Sequence, residues 1–379
     1  MSEKIRVLQS VNSLGLGGNV IFVMNFFRHI DKEKYQVDFV IYDDSKMDYY
    51  DEVKSAGSMV HIIKKPGGNA ALRLFSQMRQ VRKLLKENDY DVIHCHSCSF
   101  IGLFRGAIPG MFTRKTKVIA HGHNPGRPKN TKADNMVRGI FKTILSKAAD
   151  MGFACSDESG ASKYTEKFMK SPKYCVINNA IDTEKFSYDP SMREQVREQY
   201  GMQDKFVIGS IGRLEEQKNY LYMIDVLEAY VKINPDACLF LVGDGSQYDQ
   251  IVNKAKEKGV DQHLIMAGRT STPEQFYSAM DVFVLPSIFE GFGFVNIEAQ
   301  VSGLPCIVST AVPREINISD RVDFLGFEPD AWCAALEKVR TELESTQRKT
   351  VRTEKYDLKN ECRRLEGFYS SLAAEKKGN

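Results

Sequence analysis

No apolar run in this 379-residue chain comes near the roughly 20 residues that a membrane-spanning helix requires; the longest are stretches such as Val282–Pro286 and Phe240–Gly243. No crossing of a bilayer is expected. An exported chain would carry an apolar stretch close to its start, whereas MSEKIRVLQSV places charges there and runs straight into a strand-like segment, so export is not expected either. Internal repeats of roughly 20–50 residues and low-complexity segments are lacking, which excludes solenoids and arrays. Zinc-finger spacings, ribonucleoprotein-type aromatic motifs and basic repeats are lacking too, and nucleic acid is set aside as a partner. The eight cysteines, at 95, 98, 155, 175, 238, 306, 333 and 362, fall mostly in apolar segments such as FACS and PCIVS and read as small buried hydrophobes rather than a disulfide framework. One cluster, His94-Cys95-His96-Ser97-Cys98, stands at a strand end. Alternation divides neighbours there between opposite faces, and no metal site is expected.

Hydrophobic residues make up 42% and charged residues 27%, the balance of a chain with a sizeable core, and the length suits two domains better than one or three. The protein is expected in the cytoplasm. Net charge is only +3, but acidic residues are scarce from Ile101 to Asp150, where ten Lys/Arg face Asp134 and Asp150 for a balance of +8, leaving −5 on the rest. That stretch ends in NMVRGIFKTILSKAA, where Val137, Ile140, Phe141, Ile144, Leu145 and Ala148 recur at helical spacing while Arg138, Lys142 and Lys147 take other faces. The pattern suits a helix packed on its own domain, or a basic rim that meets an anionic membrane surface on the inner face of the cell membrane.

Short β-branched and aromatic runs alternate with helical patterns throughout. Strands are expected near Ile5–Ser10, Val37–Ile41, Met59–Ile63, Val92–Cys95, Val118–His121 and Gly152–Cys155, then near Cys175–Ile177, Phe206–Ile211, Cys238–Val242, Leu264–Ala267, Val282–Leu285, Cys306–Val308 and Val322–Leu325. Such alternation means parallel sheets with right-handed crossovers, and two sets mean two doubly wound α/β domains facing across a cleft. The polar, proline-containing KFMKSPK marks a boundary at 170/171, giving domains 1–170 plus 356–379 and 171–355. Tyr356–Leu372 is an amphipathic helix that must cap something, with AAEKKGN frayed beyond it.

Ligands of open α/β sheets sit beyond the carboxyl ends of strands, and unusual residues stand there. Gly15, Gly17 and Gly18 follow the first strand and let backbone approach a phosphate or sugar, although Val20 spoils the dinucleotide fingerprint. Arg213 follows Phe206–Ile211, and Lys218 stands near the start of the next helix: two permanent cations beside a helix N-terminus suit a diphosphate without metal. After Val282–Leu285 come Glu290, Gly291, Phe292, Gly293 and, one turn into the next helix, Glu298. Carboxylates there suit vicinal hydroxyls, because each oxygen accepts hydrogen bonds and can fix a diol.

Glu290-x7-Glu298, with Gly212-Arg213-Leu214, Gln217-Lys218-Asn219, Val242-Gly243-Asp244-Gly245, Asn179-Ala180-Ile181-Asp182 and Asp91-Val92-Ile93-His94-x-His96, resembles the family-4 retaining glycosyltransferases of GT-B fold over nearly the whole chain. The branch most similar builds bacterial surface polysaccharides. The resemblance implies a metal-independent hexosyltransferase using a nucleoside diphosphate sugar, most simply a UDP-sugar, and a saccharide or polyprenyl-diphosphate-linked acceptor. It implies that Arg213 and Lys218 bind the diphosphate, that Glu298 holds the ribose, and that Glu290 and Gly291–Gly293 touch the sugar, with Gly17 and Gly18 beside the donor. It also implies a histidine after an N-terminal strand near that sugar: His123, with His121 as alternative. His94, His96 and His121 are acceptor-side candidates. The closing helix is implied to cross back onto the first domain, with closure about hinges near 170 and 355. Departures are Val20 where many members carry Glu, Ala180 for Gly, and Val312-Pro313-Arg314-Glu315 for a Gly-Gly loop. Asp89-Tyr90-Asp91 precedes its strand and is set aside as a metal motif. A nucleotide-sugar epimerase or sensor on the same fold is a competing reading. A nicotinamide-dependent oxidoreductase, from Gly15-x-Gly17 and Asp43-Asp44, leaves both glutamates and both cations unexplained.

Overall fold

The computed structural model describes residues 4–64, 66–113, 115–124, 131–290, 293–343 and 348–377. Two compact units emerge, residues 1–180 with 355–379, and residues 181–354. In the first, β1 (Ile5–Val11), β2 (Tyr35–Ile41), β3 (Val60–Ile62), β4 (Val92–Ser97), β5 (Lys117–Gly122), β6 (Met151–Ala154) and β7 (Tyr174–Val176) form one sheet in the order β3-β2-β1-β4-β5-β6-β7. In the second, β8 (Phe206–Ile211), β9 (Ala237–Val242), β10 (Leu264–Gly268), β11 (Val282–Leu285), β12 (Cys306–Ser309) and β13 (Val322–Leu325) take the order β10-β9-β8-β11-β12-β13. Every pairing is parallel. Both are doubly wound α/β sheets whose order reverses once, beside β1/β4 and beside β8/β11, the places where such sheets open a ligand crevice.

Seven of the helices position the candidate site or its surroundings: α1 (Gly18–His29), α2 (Ala70–Glu87), α3 (Phe100–Met111), α4 (Lys132–Ala148), α5 (Tyr220–Tyr230), α6 (Glu274–Ala279) and α7 (Phe294–Val301). The last helix, α8 (Leu358–Lys377), completes the first unit. β8, β9 and β11 are buried at every position because helices cover both sheet faces, which is why they read as continuous apolar runs. Close helix–sheet packing in the first unit depends on Gly106 and Gly110 of α3, where a Cβ would overlap Cys95 and Val118 respectively.

Two expectations are corrected. The first boundary falls at Ala180/Ile181 rather than 170/171, because the short strand near 175 pairs with β6 and belongs to the first sheet. The terminal helix does not fray at Ala373: it runs to Lys377, and Lys376 reaches Asp91 at 2.8 Å and Asp89 at 3.3 Å. Those carboxylates of the Asp-x-Asp motif, placed before β4, thus serve to dock α8. Tyr369, Leu365 and Leu372 bury the helix's apolar face, and Tyr35 donates to the Glu366 carbonyl at 2.8 Å.

Candidate active site

The loops after β8 and β11 are neighbours because those strands pair, and backbone links fasten them: Ile288 N donates to Gln217 O at 2.8 Å, and the Gln217 amide donates to Phe289 O at 3.0 Å. The β8 loop also packs against the loop after β9. Gly243, at φ 150°, touches Gly212, and Leu214 N donates to Asp244 O at 2.9 Å, so a side chain at Gly243 would collide with backbone. Lys218 closes a short 3₁₀ turn, Asn219 follows in the left-handed region at φ 56°, and α5 begins. This geometry turns the Lys218 ammonium onto Glu290 at 2.6 Å, with both side chains about nine-tenths buried. Ser287 donates to the same Glu290 oxygen at 3.1 Å. Arg213 stands exposed just past the end of β8.

Glu298 lies in the first turns of α7, whose N-cap is Gly293 at φ 79°, a conformation that a side chain would strain. Its carboxylate accepts from the buried Tyr277 hydroxyl of α6 at 2.6 Å. Burial pushes the Glu298 carboxyl up to about 7, against the Tyr277 hydrogen bond, which pulls it down; Glu274 pushes it further up, and Lys185 and Lys218 pull it down. Gly291 and Phe292 lie outside the described residues.

In the first unit, Gly17 caps α1 and Gly18 opens it, and a Cβ on Gly18 would meet nothing within 4 Å. The β4 and β5 ends bring four histidines together. Alternation sends Cys95 to the α3 side, but His94 and His96, two apart, stay on one face, and the register sets His96 opposite His121. His94 and His121 are wholly buried, His96 nearly so, and only His123 is partly exposed. Phe22 of α1 packs on His96, His121 and His123 with ring centroids 5.9, 4.9 and 5.1 Å away. Burial lowers all four imidazoles, His123 to about 3, so they are neutral at physiological pH. Ring nitrogens of His94, His96 and His121 come within 4.8 Å of one another, near enough for a metal. They are nonetheless engaged in hydrogen bonds with each other, His123, Gln9 and Tyr369, and His121 Nε2 alone lacks a partner among the described residues.

Beside His96 opens a cavity of about 290 Å³ at the ends of β1 and β4, lined by Asn12, Asn19, Ser99 and Arg105 among others. Arg105 also borders an apolar cavity of about 370 Å³ between α2 and α3, with Ala70, Leu74 and Ile101. Sequence reasoning missed Tyr277, Ser287, Gln9, Tyr369 and Arg105; a Tyr on one helix or an Arg on another carries no local signal until the sheet places it.

The first half of the chain, residues 16–185, matches the model described as Glycosyltransferase Family 4, and residues 192–357 match Glycosyl transferases group 1. EpsF of Bacillus subtilis (strain 168) is 27% identical over 322 residues, covering 83% of this chain and 82% of its own. The Escherichia coli UDP-Gal:alpha-D-GlcNAc-diphosphoundecaprenol alpha-1,3-galactosyltransferase is 28% identical over 247 residues, 64% of this chain and 63% of its own. Among solved structures, Anabaena HepE in complex with UDP superposes with a TM-score of 0.76 at 19% identity, covering 97% of this chain and 100% of that one. That last likeness concerns the fold.

Proposed function

The chain belongs to the GT-B glycosyltransferases, joining a family 4 domain to a group 1 domain, and from that premise we propose that it moves a hexose-type sugar from a UDP-sugar to a lipid-linked saccharide, with retention, in surface polysaccharide synthesis. The observation that carries the donor reading is the buried Lys218–Glu290 pair, with Arg213 exposed just past β8 and the Glu298–Tyr277 pair in the same unit. A sugar nucleotide presents an anionic diphosphate between two polyols. Lys218 and Arg213 answer the diphosphate, Glu290 the sugar hydroxyls and Glu298 the ribose. In the free protein Glu290 holds Lys218 in place, so the cation is oriented before the donor arrives.

As the bond to the sugar breaks, charge grows on the leaving diphosphate, and these fixed cations meet it; we assign that role to them rather than to a divalent ion. Attack from the same face, with the departing phosphate accepting the acceptor's proton, gives retention without a protein nucleophile, and a trapped glycosyl-enzyme would sink this step. We assign His123, with His121 as the alternative, to the donor sugar. The cavity by His96 and Arg105 suits the acceptor, and the adjoining apolar cavity suits its lipid. The acceptor follows the chemistry named for the E. coli relative. α4 supports membrane contact: Met136, Val137, Ile140 and Ile144 are exposed along it, among Lys132, Lys142 and Lys147.

The test is a thermal-shift and hydrolysis screen of UDP-, GDP- and ADP-sugars with chelator present, using Lys218→Ala and Glu298→Ala. Stabilisation and slow hydrolysis with one UDP-sugar, lost in both variants, is expected. Turnover only with added divalent metal would overturn the metal-free assignment, and an isomerised free sugar nucleotide would turn the reading to an epimerase.

A further inference from the structure

Of the four clustered histidines, His123 is the one assigned to the donor sugar, with His121 as the alternative, and all four are wired together. Two cross-strand pairs span β4 and β5: His94 Nε2 with His121 Nδ1 at 3.3 Å, and His96 Nδ1 with His123 Nε2 at 2.9 Å. Gln9 of β1 and Tyr369 of α8 join their ends. Gln9 Oε1 meets His96 Nε2 at 2.7 Å, the Gln9 amide donates to the Tyr369 hydroxyl at 3.0 Å, and Tyr369 meets His94 Nδ1 at 2.7 Å.

A neutral imidazole has one N–H and one lone pair, an amide oxygen only accepts, and these constraints assign every hydrogen. His96 must donate from Nε2 to Gln9 Oε1. Its Nδ1 is then bare and accepts from His123 Nε2–H, which leaves His123 Nδ1 as a lone pair. Along the other branch, Tyr369 accepts from Gln9 and gives its own hydrogen to His94 Nδ1. His94 Nε2–H then donates to His121 Nδ1, and the hydrogen left over sits on His121 Nε2, a buried atom without a partner among the described residues. Turning the Gln9 amide over would reverse every hydrogen in both branches, so one side chain sets the tautomers of both candidate donor-side histidines.

We propose that Gln9, acting through His96, is a positioning residue that holds His123 in its Nε2–H tautomer, so that Nδ1 is offered as an acceptor to a hydroxyl of the sugar substrate. This rests on the placing of His123 at the donor sugar. Among the described residues no hydrogen bond engages His123 Nδ1, and His123 is the residue of the four that is partly exposed. Without Gln9 the two neutral tautomers would interconvert, and a fraction of molecules would present N–H where the substrate also presents O–H.

The experiment is a long-range ¹H–¹⁵N correlation spectrum of the whole chain labelled at histidine nitrogen, with His123 assigned by its loss in His123→Ala. The expected wild-type pattern is one tautomer, protonated at Nε2. Gln9→Leu should move the His123 signals towards the average of both tautomers and lower turnover by up to about tenfold, with the melting curve checking the fold. The wild-type spectrum decides even where that variant does not fold. An Nδ1–H or averaged pattern in the wild type overturns the tautomer assignment and leaves the donor-side placing of His123 standing. Transfer at the wild-type rate by His123→Ala overturns that placing and leaves the tautomer assignment standing.

Discussion

Glu298 carries the plainest pH consequence. Its folded carboxyl is raised to about 7, while an unfolded chain returns it to the ordinary value of about 4.3. A raised acid favours folding in its neutral form, so stability is greatest below the unfolded value and declines as pH climbs towards the folded one. At full ionisation the cost is on the order of 3 kcal/mol. Glu298→Gln keeps an oxygen for Tyr277 and removes the charge. It should match the wild type in melting temperature near pH 4.5 and exceed it at pH 8. If the carboxylate holds the ribose, hydroxyl donors favour its ionised form, so UDP affinity should rise from pH 5.5 to 8 in the wild type and stay weak and flat in Glu298→Gln. Parallel melting curves for the two proteins across that range would refute the burial argument. Glu298 and Lys218 were legible in the sequence because each follows a strand at fixed spacing. Tyr277 was not, for its hydroxyl meets Glu298 from another helix, and neither was the histidine network, which needs the register of β4 on β5 and a tyrosine 275 residues from His94.

At the scale of elements, α6 has to end inside the protein, and its last carbonyls need donors. Arginines supply them. Arg193 donates to the Ser278 and Met280 carbonyls at 3.2 and 3.0 Å, Arg197 to Ala279 at 2.9 Å, and Arg348 to Tyr277 at 2.8 Å and Met280 at 3.0 Å. Arg348 also ties this turn to Ser302, just past α7, at 2.6 Å. The helices carrying Tyr277 and Glu298 are therefore braced by one guanidinium, which burial lowers to about 9. Arg348→Ala should leave the Ser302 carbonyl without its donor, strip one of two donors from the Tyr277 and Met280 carbonyls, and cost about 1–3 kcal/mol in denaturant unfolding. The same change should weaken UDP binding with Arg213 and Lys218 untouched; Arg348→Lys, which cannot reproduce the fork, should recover little. Unchanged unfolding in Arg348→Ala would show the brace to be dispensable. Such braces leave no periodic trace in the sequence, in contrast to the strands, whose burial on both faces makes them apolar runs. All thirteen strands among the described residues fall where the runs predict them, with ends shifted by a residue or two.

Over the whole molecule, two features that no single element displays decide how it meets its surroundings. The first unit is assembled from both ends of the chain, and its boundary at Ala180/Ile181 stands ten residues beyond 170/171 because Tyr174–Val176, three half-buried residues, declares its sheet only by pairing with β6. The second is the uneven charge: the +8 of residues 101–150 lies wholly within the first unit, on a chain whose total is +3. No helix among the described residues is long and apolar enough to cross a membrane. Along α4, Met136 is 66% and Ile140 52% exposed, an apolar ridge that a water-facing helix has little reason to keep, flanked by Lys142 and Lys147. Near an anionic surface each such cation contributes about 1 kcal/mol within a screening length of roughly 8–10 Å. Flotation with vesicles rich in anionic lipid should therefore recover the protein at low salt and lose it at high salt. Reversing Lys142 and Lys147 to Glu should weaken binding by at least about tenfold, since two attractions become repulsions, while UDP-sugar hydrolysis in solution stays unchanged. Ile140→Asp with Ile144→Asp should abolish the salt-resistant remainder by removing the apolar insertion. Equal recovery on neutral vesicles would assign the ridge to something other than a charged membrane.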